Sequence, residues 1–198
     1  MAKYMKNYLS FGAILFALSY SSGDLFAFVK SGADWTYQEH PIEQMLMVCD
    51  AGAPPGASDI IKAAASQWNY SRFSFKFSPN TCVGSDDFTI RFGTTAKEVD
   101  AAETDTLVPG TVTNHITKCA MVFNSNRTWN ATMNDPTPVE NDLYSVALHE
   151  FGHCVGLDHS DAPLAPSSVM QSELGVGQTF RTLQPDDLAG RNSIYGAP

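Results

Sequence analysis

The stretch His149-Glu150-Phe151-Gly152-His153-Cys154-Val155-Gly156-Leu157-Asp158-His159 concentrates side chains that bind metal ions and move protons. Histidines four residues apart lie about 40° from each other around a helix axis and roughly 6 Å along it, so one ion can take both imidazoles. Glu150 is better placed to reach a water on that ion, where a general base must stand, than to serve as a third ligand. A helix continued past Gly156 would carry His159 about 240° around from His153 and about 9 Å further along, facing away from the metal. Glycine adopts the left-handed conformation that ends helices at little steric cost, so Gly156 is expected to stop the helix and return His159 to the ion. Three neutral imidazoles plus a water form the open tetrahedral arrangement of catalytic zinc, and one catalytic Zn²⁺ is the expected cofactor. A helix that merely displays surface histidines gives no reason for this spacing.

These residues resemble the extended zinc motif of the metzincin endopeptidases, a group also marked by a methionine turn beneath the metal. Ser167-Ser168-Val169-Met170 follows the third histidine at a suitable distance, which makes Met170 the expected turn residue. Taken alone, Met170 would read as an ordinary core methionine. The residue after the third histidine separates metzincin families, and here it is Ser160, similar to the matrixins, the matrix metalloproteinase-like branch. Leu157-Asp158-His159-Ser160, Leu183-Gln184-Pro185-Asp186-Asp187-Leu188-Ala189-Gly190 and Tyr195-Gly196 also resemble a matrixin catalytic domain.

The chain has 198 residues, 43% hydrophobic and 17% charged, which suits one globular domain with a substantial core. Lys3 and Lys6 precede an apolar run from Leu9 to Tyr20, and Leu25-Phe26-Ala27 offers a small residue for cleavage, so residues 1–27 are expected to be a secretory signal and 28–198 the catalytic domain. The run is short for a bilayer span, so a retained membrane anchor is the lesser alternative. Cleavage after Ala27 would remove two lysines and Asp24, moving the formal charge from −9 to −10. So acidic a surface argues against nucleic acid as a partner. A monomer acting on protein or peptide substrates, secreted or periplasmic, is expected.

Met45 to Cys49 reads as a buried first strand, followed by a loop, Asp50-Ala51-Gly52-Ala53-Pro54-Pro55-Gly56. Ser58 or Asp59 is expected to cap the next helix, whose apolar face holds Ile60, Ile61, Ala64, Ala65 and Trp68. Phe73, Phe75 and Phe77, then Phe88, Ile90 and Phe92, alternate as strands do, and Ile116 to Asn124 supplies another. Asn141 or Asp142 is expected to cap the zinc helix, and a last helix to start near Pro185-Asp186-Asp187.

This order fits what the resemblance implies over about Trp35 to Gly196: an α+β metzincin catalytic domain. It has a twisted, mostly parallel five-stranded sheet with one antiparallel edge strand, a backing helix, an active-site helix and a C-terminal helix in a small lower subdomain. In that fold the edge strand pairs with an extended substrate; Glu103 to Val108 is the candidate here, with a solvated loop as the alternative. Four cysteines in an exported chain favour two disulfides, and three connectivities exist. The implied fold favours Cys49 with Cys82 and Cys119 with Cys154. Helical rotation turns Cys154 about 100° away from His153, so it reads as structural. Asp100, Glu103 and Asp105 could take Ca²⁺, but their spacing fits no calcium loop, and a solvated acidic face is the simpler reading.

Larger animal matrixins hold a second zinc through further histidines; outside the motif this chain has His40 and His115, so that site is expected to be absent. They also carry an inhibitory pro-segment with a cysteine on the zinc, whereas seven residues separate Ala27 from Trp35 and Cys49 sits in no such motif. No latency is expected. By analogy, an N-terminal Phe28 would fold onto Asp186 or Asp187 of the last helix. Ser172 to Phe180 should wall the specificity pocket, and Asp158 and Asp161 either orient ligand imidazoles or are plain surface aspartates. Asn69, Asn126 and Asn130 begin Asn-x-Ser/Thr triplets, glycosylated only in a eukaryotic secretory route.

The mechanism implied is hydrolysis of peptide bonds by a zinc-activated water, with Glu150 as the base. One alternative is a secreted zinc-binding module that keeps the fold without turnover, against which the intact Glu150 argues. A non-proteolytic amide hydrolase would share the chemistry and differ in substrate.

Overall fold

The computed structural model describes residues 26–35, 41–79, 82, 86–106, 114–161 and 168–198. Residues 1–25 of the expected signal, His40 and Ser167 lie outside them.

Strand β1 (Val29–Lys30) is short; β2 (Ile42–Val48) starts the main sheet. Ile42, Gln44, Leu46 and Val48 face inward from β2 while Glu43 and Met45 face solvent, the period-two pattern of a strand packed on one side. β3 (Phe73–Phe77) and β4 (Thr89–Gly93) run parallel to β2, and β6 (Ala120–Asn124) runs parallel to β4. β5 (Ala102–Asp105) closes one edge antiparallel to β6, giving the order β3-β2-β4-β6-β5. The five-stranded sheet with one reversed edge is thus as expected, and the 102–105 segment is a strand rather than a loop. Residues 107 and 108 of the expected edge lie outside the described set. β6 begins later than the apolar run, because the Ile116 N–H donates to Asp34 and the Cys119 N–H to Asp87, off the ladder.

Helix α1 (Ala57–Ser66) buries Ile60, Ile61, Ala64 and Ala65. Neither Ser58 nor Asp59 caps it: the cap is Gly56, whose φ of 84° turns the loop directly into the helix, leaving both residues inside the first turn. β7 (Trp129–Asn130) pairs with β8 (Asn141–Asp142), which leads straight into α2 (Leu143–Val155). The Asp142 carboxylate accepts the Ser145 N–H at 3.0 Å and so caps α2. Every residue of α2 except His149 and His153 is buried. A helix apolar on nearly all sides belongs inside a domain, and three aromatic donors accommodate it there. Trp68 Nε1 donates to the Leu148 carbonyl at 3.0 Å, Trp35 Nε1 to Cys154 at 2.8 Å and the Tyr195 hydroxyl to Val155 at 2.5 Å. The last two occupy carbonyls that a helix C-terminus leaves without intrahelical partners.

Beyond α2, β9 (Leu157–Asp158) pairs antiparallel with β1. The last helix, α3 (Pro185–Tyr195), starts at Gln184 with a capping box closed by Asp187 and with proline in its first turn. Cys49 is bonded to Cys82 and Cys119 to Cys154, each with Cα atoms 5.5 Å apart. The second bond ties the residue before β6 to the helix bearing His149 and His153. Its ends are 35 residues apart, so the constraint it places on the unfolded chain is worth about 4 kcal/mol. The double variant Cys119→Ser/Cys154→Ser should lose about that much stability in equilibrium denaturation.

Candidate active site

The metal-binding pattern closes in space. Side-chain ligand atoms of His149, His153 and His159 all lie within 4.8 Å of one another, and His149 Nε2 is 3.1 Å from His153 Nε2. Three nitrogens on one tetrahedral zinc stand about 3.3 Å apart. His149 Nδ1 lies 2.8 Å from the Val169 carbonyl and His153 Nδ1 2.9 Å from that of Leu157. A carbonyl only accepts, so each Nδ1 carries the proton and each Nε2 of a neutral ring is a bare lone pair. Burial, the largest influence, lowers the pKa of both rings, that of His149 to about 4, which keeps it neutral at ordinary pH. Two lone pairs converging with their nitrogens 3.1 Å apart suit a cation between them, so this donor set fits zinc.

Gly156 makes the convergence possible. Its φ of 105° ends α2, and its N–H returns to the carbonyls of Gly152 and His153. The Gly156 carbonyl accepts from Ser31, through the N–H at 2.9 Å and the hydroxyl at 3.1 Å, and β9 then leads back toward the cleft. A Cβ here would stand 2.5 Å from the Ala33 carbonyl oxygen.

Met170 is buried and packs against α2 at Gly152. A Cβ on Gly152 would sit 2.1 Å from its sulfur, so a glycine is what lets the side chain approach. The turn is held from α3: Asp187 Oδ1 accepts the Ser168 hydroxyl at 2.5 Å and the Val169 N–H at 3.2 Å. Asp186 faces the other way, and its Oδ1 accepts the N–H groups of Ala27 at 2.6 Å and Phe28 at 3.0 Å. Of the two aspartates named for Phe28, the structure puts Asp186 against it and gives Asp187 to the methionine turn. Ser160 joins this junction by donating to the Ala27 carbonyl at 2.8 Å.

Asp158 and Asp161 do not touch the imidazoles. Asp158 accepts the His159 backbone N–H at 2.7 Å and Asp161 the Ser172 N–H at 2.8 Å; both are exposed, though the charge of Asp161 still reaches His149 and His159. The imidazole orienters are backbone carbonyls, for which a sequence carries no residue signal. Of the acids considered for calcium, Asp105 pairs with Lys118 at 2.9 Å and Glu103 accepts the Ala96 N–H at 2.8 Å.

Glu150 is buried, 5% exposed, and burial pushes its carboxyl above the usual carboxylate range against the opposing pull of His153 and Thr104. Its Oε2 accepts the Thr104 hydroxyl at 2.5 Å, a contact missed from the sequence. Strand alternation alone would have turned Thr104 away from the side taken by Glu103 and Asp105, which is the available signal. The histidines and Glu150 line an open cleft of about 900 Å³, bordered by residues of β5 on one side and by Ser172, Leu174, Val176 and Phe180 on the other. That second wall is anchored at the head of α2: Phe180 N–H donates to the Ser145 hydroxyl at 2.7 Å, and Arg181 spans both oxygens of Asp142 at 2.5 and 2.9 Å. Among the described residues no helix is long and apolar enough to cross a membrane.

Two imidazoles and a buried carboxylate on one helix, joined under an edge strand by a third imidazole from the chain returning beyond Gly156, define the metal-hydrolase class of centre. A sequence profile described as Matrixin matches residues 53–196, and the chain belongs to the matrixin family of zinc metalloendopeptidases. It is similar to human matrix metalloproteinase-16, 40% identical over 76 residues, or 38% of this chain and 12% of that protein. Human stromelysin-3 is 39% identical over 79 residues, 38% of this chain and 14% of that one. Rabbit (Oryctolagus cuniculus) macrophage metalloelastase is 42% identical over 57 residues, 29% and 12% respectively. The matched stretches thus span only 12–14% of these relatives. Among solved structures, metalloproteinase-II from Bacteroides fragilis aligns over 86% of this chain and 57% of that one, with 12% identity and a TM-score of 0.39.

Gly156→Ala forces a side chain into a left-handed turn and against the Ala33 carbonyl. It should cost upwards of about 1 kcal/mol of stability and displace His159. Zinc titration by calorimetry should show affinity falling at least about tenfold, a larger loss than from the same change at Gly32, where a Cβ meets nothing within 4 Å.

Proposed function

We propose that this chain is a secreted zinc-dependent endopeptidase that hydrolyses peptide bonds in extended protein or peptide substrates. The observation that carries this reading is the convergence of three imidazoles in an open cleft bordered by the reversed edge strand. His149, His153 and His159 would hold the ion, with Gly156 and Met170 shaping the ground beneath it. When bound, zinc lowers the pKa of a water toward ~7 and polarises the scissile carbonyl.

The chain's own groups do the rest. Among the described residues no strand pairs with the outer edge of β5, and an extended peptide can add there as a further strand. Glu150 takes the proton of the attacking water on a carboxylate oxygen and delivers it to the departing amine; its raised pKa suits a group that must both accept and return a proton. Two disulfides and the basic-then-apolar N-terminus support export, with cleavage after Ala27. The new Phe28 ammonium would then meet Asp186, whose Oδ1 already lies 3.0 Å from that nitrogen. We read the mature protein as a monomer without nucleic-acid or membrane partners.

The test is a mixed peptide library cleaved by zinc-loaded wild type and by Glu150→Ala. Wild type should bind one equivalent of zinc and cleave, and the variant should bind zinc while losing about 10³-fold in kcat. Stoichiometric zinc with no cleavage by the wild type would sink the peptidase reading in favour of a binding module.

A further inference from the structure

Side chains alternate along β5, so Thr104 points away from the face shared by Glu103 and Asp105 and onto α2. Its hydroxyl oxygen stands 2.5 Å from Glu150 Oε2 and 3.4 Å from the Glu150 backbone carbonyl. A hydroxyl has one proton to give, and the shorter contact, to a carboxylate, falls in the range of about 2.5–2.7 Å typical of charge-assisted O–H···O bonds. Nothing in the proposed mechanism uses this bond.

We propose that Thr104 is the positioning residue of the general base: its hydroxyl clamps one carboxylate oxygen of Glu150, so that the other is aimed at the nucleophile. The proposal rests on the peptidase reading above. A glutamate reaches its carboxylate through three rotatable bonds, the last of them broad and nearly unrestricted. Proton transfer requires the accepting oxygen to stay within hydrogen-bond reach of the water, and small displacements of a catalytic group cost large factors in rate. Burial shuts out the solvent that would otherwise satisfy the carboxylate, and Thr104 supplies a donor in its place. The clamp also comes from the strand proposed to hold the substrate. Thr104 faces Met121 across the β5–β6 ladder, and Met121 is fully buried, so the hydroxyl is fixed in height relative to the peptide edge. Substrate backbone and base would thus take their positions from one strand.

Thr104→Val keeps the branched shape and removes the donor; Thr104→Ser keeps the donor and removes the methyl group. In the zinc-loaded enzyme, Thr104→Val should lower kcat about tenfold or more with KM within about twofold of wild type and zinc stoichiometry unchanged. Thr104→Ser should restore kcat to within about threefold of wild type. Crystal structures supply a readout independent of turnover: Glu150 should occupy one rotamer in wild type and Thr104→Ser, and should shift or split in Thr104→Val. An unchanged rotamer and kcat in Thr104→Val would overturn the assignment. So would equal losses in the two variants, or a loss carried by KM, either of which would mark Thr104 as a packing residue. If wild type cleaves no peptide, the peptidase reading falls, and the three Glu150 rotamers still decide whether the clamp exists.

Discussion

The reversal of the chain at Gly156 is the constraint on which the rest of this molecule turns. Two imidazoles can share a helix face, but a third cannot join them from the same helix, so α2 must end within one turn of His153 and the chain must come back. That sharp exit strips partners from the last carbonyls of α2, and the surrounding fold supplies them: Trp35 to Cys154 and Tyr195 to Val155. Strand β1 then grips β9 on the return path. The N-terminal segment and the last helix both converge on this one bend.

Placement of α2 follows from the same need. Every residue except His149 and His153 is buried, so the helix cannot rotate about its axis without exposing apolar surface or burying an imidazole. Below it, Asp187 anchors the turn that carries Val169 and Met170, and Val169 in turn accepts the proton of His149. Hydrogen bonds therefore lead from α3 through the methionine turn to a ring of the proposed metal site. Backbone carbonyls are well suited to orienting neutral imidazoles, since they accept without adding charge to the centre.

Much of this was legible in the sequence because the strongest signals are local. The spacing of His149, His153 and His159 with Gly156 fixed the helix, its end and the return, and the alternating phenylalanines of β3 and the Phe-x-Ile-x-Phe pattern around β4 marked their strands. The errors have physical sources. Gly56 displaced Ser58 and Asp59 as helix cap because a left-handed glycine can start a helix without any side chain. Ile116 was apolar and extended, yet its N–H went to Asp34 and stayed outside the sheet. Carbonyl orienters and the Thr104 contact depend on tertiary register, which residue types alone do not encode. The short pairs β1–β9 and β7–β8 were invisible for the same reason: two residues carry no periodicity.

The segment between Met170 and Phe180 is fastened at both ends to the catalytic frame. At one end the Met170 carbonyl accepts the Ser160 N–H at 2.8 Å; at the other Phe180 and Arg181 bind Ser145 and Asp142 at the start of α2. What lies between contributes cleft wall and is pinned at two further points, Ser172 to Asp161 and Gly177 to the Glu140 carbonyl. These inner ties run through backbone N–H groups, so most side chains of the interval can change while the backbone keeps its path. On the proposed peptidase reading, exchanges of those side chains would reshape the cleft wall without touching the three imidazoles or Glu150.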